Sequence, residues 1–196
     1  KQVLEKTEFR KWLDKKQKEE FVRDIERNAN IPFTKENIKG TLQNIFLQRG
    51  KLFEKSVANV FDELTKYFKG NTNHTEGWKS NDGYKVNKKL VFPWGCKYEK
   101  LWGFSMYHYG RIDIYQDLDR VLCVLDGKPF DTCLTIEKAM RKAFDAKTEM
   151  EAESEFFNIR FFKKGTVHLV FKDDALRAEF NKTAAKGKAW IGQETK

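Results

Sequence analysis

No run of about 18 apolar residues occurs anywhere in the 196-residue chain, so no helical membrane span is available. Cysteines number three, Cys96, Cys123 and Cys133, with no CxxC pair among them. An odd count without paired spacing excludes a disulfide frame and points to a reducing, cytoplasmic setting. Histidines are equally scarce. His74, His108 and His168 stand at no ligand spacing from a cysteine pair, which argues against zinc, and no metal or other cofactor is expected. The chain holds no P-loop, no GxGxxG, no HExxH and no GxSxG, and no internal repeat. No signal peptide is visible, and a start at Lys1 leads one to expect further residues before it.

Against these absences stands a surplus of positive charge. Lysine and arginine total 38 against 29 acidic residues, a net charge of +9. A surplus of this size suits a polyanionic partner, most often nucleic acid; the bland alternative is a solvated basic surface. Hydrophobic residues make up 40% of the chain and include 17 Phe, enough for one packed core. The expected organisation is a charged helical arm over residues 1–33 and a single α+β domain over 34–196.

The stretch Phe156–Phe171, FFNIRFFKKGTVHLVF, organises the rest. Phe157, Ile159 and Phe161 alternate with Asn158 and Arg160; Val167, Leu169 and Phe171 alternate with His168, Val170 and Lys172. Lys163-Lys164-Gly165-Thr166 separates the runs, so the pattern predicts a β-hairpin. Its apolar face needs a cover. Its other face groups Arg160, His168 and Lys172.

Helices are expected on both sides of this hairpin. Residues 1–29 read as two charged helices broken near Asp14–Lys18, whose lysines are a solvated face or a phosphate contact. Thr34 suits an N-cap, and Ile38, Leu42, Ile45 and Phe46 share a helical face. Leu52, Phe53, Ser56, Val57, Val60, Phe61 and Leu64 continue it, so one long helix bent at Gly50, or two end to end, is expected as the hairpin's cover. Lys69–Lys85 is polar and lacks periodicity. Trp78 and Tyr84 within it suit base stacking, or else fold back onto the domain. Val86–Trp94 reads as a strand stopped by Pro93, and Trp102–Ile114 as strand or structured loop. Helices are expected at Gln116–Leu125 with a stop at Gly127, at Thr135–Ala146, and after Asp173-Asp174. Residues 147–155 read as an acidic linker.

Asp113, Asp126 and Lys128 superficially match a magnesium nuclease core, but a carboxylate at a helix end is badly placed for that chemistry. Asp126-Gly127-Lys128 is equally a helix-ending turn. Cys123 falls on an apolar helical face and is expected in the core. Glu54 sits beside the main stripe of its helix, where a carboxylate is usually solvated or paired with Lys51 or Lys55.

The pieces QRGKLFEKSVANVFDEL at 48–64, FKGN at 68–71, KKLV at 88–91, DLDRVLCVLDGK at 117–128 and FFNIRFFKKGTVHLVFK at 156–172, with Asn181 beyond, stand in an order that resembles an uncharacterised bacterial and phage family, catalogued as a domain of unknown function. Its members often lie beside adenine DNA methyltransferases and on mobile elements. The resemblance implies DNA-related work and supplies no reaction. The polar residues matching the family pattern are Arg49, Glu54, Asn71, Asp119, Arg120, Asp126, Lys128, Arg160, His168, Lys172 and Asn181.

The resulting expectation is an α+β fold, a small antiparallel sheet including the hairpin at 156–172 and covered by helices, acting on DNA in a phage-defence setting. Excision of a flipped nucleobase is the leading reaction, with Glu54, Asn71 and Asp126 as its chemistry. Arg49, Trp78, Lys88, Lys89, Arg160, His168 and Lys172 are the expected DNA contacts. The alternatives are a metal-dependent nuclease and a non-catalytic DNA-binding module working with a methyltransferase.

Overall fold

A computed structural model of the chain describes residues 13–27, 34–65, 84–106, 111–146 and 150–190. In chain order the elements are α1 (Lys15–Arg27), α2 (Lys35–Thr65), β1 (Lys89–Phe92), β2 (Cys96–Glu99), β3 (Gly103–Met106), α3 (Arg111–Leu125), α4 (Ile136–Ala146), β4 (Glu151–Glu153), β5 (Phe157–Phe161), β6 (Val167–Phe171) and α5 (Asp174–Gly187). The fold is α+β as expected. A four-stranded antiparallel sheet runs β1-β6-β5-β4, and β2 and β3 form a separate hairpin. No helix among the described residues is long and apolar enough to cross a membrane.

The β5–β6 hairpin follows its alternation. Phe157 pairs with Phe171, Ile159 with Leu169 and Phe161 with Val167, and all six are buried. Gly165 closes the turn at φ +88, a left-handed geometry that its missing Cβ permits. Its carbonyl accepts from Cys96 N–H at 3.1 Å, so the two hairpins touch turn to root. β1 adds Leu90 and Phe92 to the same buried face. Phe104 of β3, Phe144 of α4 and Phe161 of β5 then meet with ring centroids 4.8 to 5.7 Å apart.

Three expectations need correction. The long helix does form, 31 residues without a break, and Thr34 Oγ1 accepts from Asn37 N–H at 3.2 Å at its start. It is not the cover of the hairpin. Its second half packs chiefly on α5 and then on α3, while α4 lies against β4 and β5. Its first half projects: Phe46 is 63% and Leu47 81% exposed. Amphipathic spacing states that a face is apolar, not which layer it meets. The acidic linker is also partly a strand. Glu151–Glu153 pairs with Asn158–Arg160, although Glu-Ala-Glu shows no apolar alternation. Finally, α3 begins at Arg111, earlier than Gln116, and the undecided stretch before it supplies β3.

α1 starts on a buried polar anchor. Asp14 caps it by accepting from Gln17 N–H at 2.9 Å, takes a bond from the Asn59 amide at 2.8 Å, and donates its own N–H to Ser56 Oγ at 3.2 Å. Leu13, Asp14 and Gln17 are buried against α2. At the other end of the chain, Trp190 docks edge-on to Phe61 at 5.5 Å. α5 approaches α2 so closely at Gly187 that an added Cβ would run into the backbone carbonyl of Glu54. Gly187→Ala is therefore expected to destabilise by about 2 kcal/mol, measured as a lower urea midpoint with an unchanged slope.

Candidate nucleic-acid interface

The outer face of the sheet is built by the residues that alternate with the core. Register places them in two rows across the strands. One row runs Lys89–Val170–Asn158–Glu153, the other Val91–His168–Arg160–Glu151. Asn158, Arg160, Glu151 and Glu153 are exposed, whereas Lys89, Val91, His168 and Val170 are half-buried. Charge is graded along the first row, from Lys89 at β1 to Glu153 at β4; in the second, Val91 and His168 are neutral and Arg160 stands beside Glu151.

That gradient revises the expected patch. Arg160 Nε lies 2.9 Å from Glu151, and Lys172 Nζ lies 2.5 Å from Glu153 and 2.6 Å from the Ser154 carbonyl. Two of the three expected nitrogen donors are thus partly neutralised by β4, whose strand pairing was not foreseen. His168 packs against the Phe162 ring at 4.7 Å. Burial, followed by the nearby charges of Lys89, Lys164 and Arg160, pushes its pKa down to about 4. Its imidazole is neutral at pH 7 and can hydrogen-bond a base edge, but it is no phosphate cation.

Positive charge gathers instead at the turn end of the sheet. Lys163 and Lys164 occupy the β5–β6 turn, and Lys163 Nζ sits 5.3 Å from the ring centre of Tyr98 on β2. Lys97 and Lys100 belong to the β2–β3 hairpin, where Lys97 is ion-paired with Glu99. At the far end Lys88 pairs with Asp174 at 2.8 Å, both largely exposed. Tyr84 is exposed before β1.

The residues expected to do chemistry are placed apart. Glu54 is half-buried on α2 where α5 crosses it. Asp126 is exposed beyond the last turn of α3 and is bound to Lys128 at 2.8 Å, which also holds Glu155 at 2.6 Å. Lys128 N–H donates to Cys123 O at 2.8 Å and Gly127 N–H to Val124 O at 3.2 Å, with Gly127 at φ +68. This is the glycine-terminated helix end of the bland reading. Asp113 starts the same helix, about 20 Å from Asp126 along the axis, which breaks the nuclease pattern. Asn71 and Trp78 lie outside the described residues. Arg49 stacks on exposed Phe46, its guanidinium 4.0 Å from the ring centre, on the projecting half of α2.

Other polar residues of the family pattern hold the fold. Asn181 accepts from Val86 N–H at 2.7 Å and donates to Val86 O at 3.0 Å, clamping the approach to β1. Asp119 is 1% exposed and accepts from Ile136 N–H at 2.7 Å, capping α4 from α3. Arg120 pairs with Asp117 at 3.1 Å.

Sequence reasoning missed one feature. A cleft of ≈ 390 Å³ between α1, α2 and α3 is lined by Asp14, Glu19, Asp62, Glu63, Asp113 and Asp117, with Lys15, Lys16 and Asn59. Burial raises the pKa of Asp117 against the Lys15 N–H and Arg120 that stabilise its charge. The acids come from three helices far apart in the chain, so no local spacing announces them. Their charge repels phosphate, and the cleft contains neither Glu54, Asp126 nor His168. Among the described residues no group of three His, Cys, Asp or Glu could hold a metal ion.

Comparison with protein families matches residues 1–190 to one described as a domain of unknown function (DUF4942). No curated protein and no solved structure matches the chain.

Proposed function

The chain belongs to the DUF4942 family, and from that premise we propose that it binds DNA through the outer face of its sheet and the lysine-rich turn beside it. The observation that carries this reading is the separation of charge on this face, from Lys89 on β1 and the lysines of the turn to Glu151 and Glu153 on β4. Neutral His168 is suited to base edges, and Lys163, Lys164 and Lys100 at the turn end are suited to phosphates. Glu151 and Glu153 on β4 repel a phosphate backbone, which confines the expected path to the β1–β6 side. The net charge of +9 supports the same partner. So does the likeness, seen in the sequence, to domains found beside adenine DNA methyltransferases on mobile elements.

Fluorescence anisotropy of a labelled duplex across a salt series tests this. The logarithm of affinity is expected to fall linearly with the logarithm of salt, and Lys163→Ala and Lys164→Ala each to reduce that slope by about 1. An unchanged slope in the double variant removes the turn from the interface. Between pH 8 and pH 6 His168 is expected to change affinity little. Only as pH falls toward about 4 does its protonation add a cation and tighten binding. Excision of a flipped base is a further claim on the same DNA. It predicts alkali-labile sites that form in the presence of EDTA; DNA that stays intact while fully bound reduces the proposal to binding alone.

A further inference from the structure

We propose that the tip of the β2–β3 hairpin is a wedge, with Leu101 and Trp102 entering the base stack of duplex DNA and parting one base step. The inference rests on the DNA-binding reading above and assigns the part of the surface that would deform the ligand. Leu101 is 89% and Trp102 77% exposed. Scattered exposed apolar residues are ordinary, but two large neighbours at the end of a protruding turn are not scattered.

The hairpin holds them out. At its root Cys96 and Met106 are buried, and Cys96 N–H is bonded to the Gly165 carbonyl. Along its length Phe104 packs on Phe144 and Phe161, and Tyr98 packs on Phe104 at 4.8 Å. Gly103 at φ +77 turns the chain directly after Trp102, a conformation that bulkier residues rarely adopt. The inner face of the hairpin is thus anchored while its end is bare, the preorganisation that a rigid wedge requires.

The surrounding charge identifies the partner. Lys100 adjoins the tip, Lys163 reaches the middle of the hairpin over Tyr98 with Lys164 next to it in the turn, and Lys97 lies near the root opposite Ser105, paired with Glu99. A leucine and an indole at the end of a hairpin whose length and root carry lysines match minor-groove architectural binding, in which apolar side chains unstack a step while cations hold the phosphates. The indole adds a stacking surface for a displaced base. A membrane fits less well. An apolar tip with lysines behind it could also meet an anionic bilayer, but the two side chains bury less than one acyl chain and the adjoining sheet face presents His168 and Arg160 rather than further apolar surface.

The test uses the full chain and a duplex carrying one 2-aminopurine, whose fluorescence rises on unstacking. The wild-type protein is expected to brighten the probe. A Leu101→Ala, Trp102→Ala double variant is expected to bind about tenfold more weakly and to leave the probe dark even at saturation. Trp102→Ala alone repeats the measurement if the double variant loses its thermal transition. A variant that binds and brightens like wild type overturns the wedge. So does wild-type binding without brightening, and in both cases the DNA reading survives. Failure of wild-type protein to bind the duplex removes that reading and the wedge together. Binding to phosphatidylserine vesicles that the variant loses, with duplex affinity unchanged, reassigns the tip to a membrane and also overturns the proposal.

Discussion

Gly95→Ala is expected to destabilise the protein by about 3 kcal/mol, read as a fall in the urea midpoint at constant slope. An added Cβ would stand 2.5 Å from the Tyr115 hydroxyl oxygen and 2.7 Å from both Cβ and Cγ2 of Val167. Tyr115 is fully buried, packs edge-on against Phe92 at 5.2 Å, and donates its hydroxyl to Gly95 O at 3.3 Å. Val167 is fixed in β6 opposite Phe161 and Phe92. Neither can withdraw without opening the core, so the methyl group forces the β1–β2 connection off the sheet. Gly50→Ala is the control. Gly50 lies on α2 with nothing among the described residues within 4 Å of its added Cβ, and alanine there is expected to gain about 0.5 to 1 kcal/mol from helix propensity. Equal effects at the two glycines would contradict the packing described at Gly95.

Asp119 is expected to make stability fall as pH rises from about 4 to about 8. Burial pushes its carboxyl up to about 8, against the Ile136 N–H that favours the charged form. Among the described residues its Oδ1 has no hydrogen-bond partner. In the unfolded chain the proton leaves near pH 4, whereas the folded chain keeps it until about pH 8. The folded state therefore binds more protons across that window, and each unit of pH removes stability. The full contribution is present below the unfolded pKa and is lost on passing the folded one. The shift corresponds to an upper bound on the order of 6 kcal/mol. Asp119→Asn retains an oxygen for Ile136 N–H and is expected to flatten this part of the profile. Asp119→Ala also loses the cap, a further 1 to 2 kcal/mol or about that. Urea unfolding of the three proteins at intervals of pH measures both, and a slope that persists in Asp119→Asn would assign it to other groups.

The legible parts of the fold are those in which local pattern and tertiary burial coincide. Phe157, Ile159, Phe161, Val167, Leu169 and Phe171 alternate in sequence and are all buried, so periodicity alone placed both strands. Asp173 accepts from Ala175 and Leu176 N–H, and an aspartate before a helix announces that role by type. β4 was illegible because its strand character is conferred by β5: Glu-Ala-Glu has no apolar period, and its carboxylates find Arg160 and Lys172 only after pairing. The layer met by α2 was illegible for a related reason, since spacing on one helix says nothing of its neighbour. The capping role of Asp119 was illegible because a cap normally lies beside the helix it closes, and this one closes a helix 17 residues further on. Of the candidate site, alternation placed Arg160 and His168 opposite each other on the outer face. The pairing of Arg160 and Lys172 with β4, the burial of His168 and the gathering of lysines at the turn required the assembled sheet.

The strand order β1-β6-β5-β4 also bears on synthesis. β5 and β6 are neighbours in the chain and pair across a short turn, but β1 joins the sheet only through β6, whose residues are translated about 80 positions later. A ribosome therefore releases α1, α2, β1 and the β2–β3 hairpin before their partner exists, with Leu90 and Phe92 unshielded. Growth from the amino end cannot seed this sheet; the late hairpin must serve as the template on which the early strand is laid.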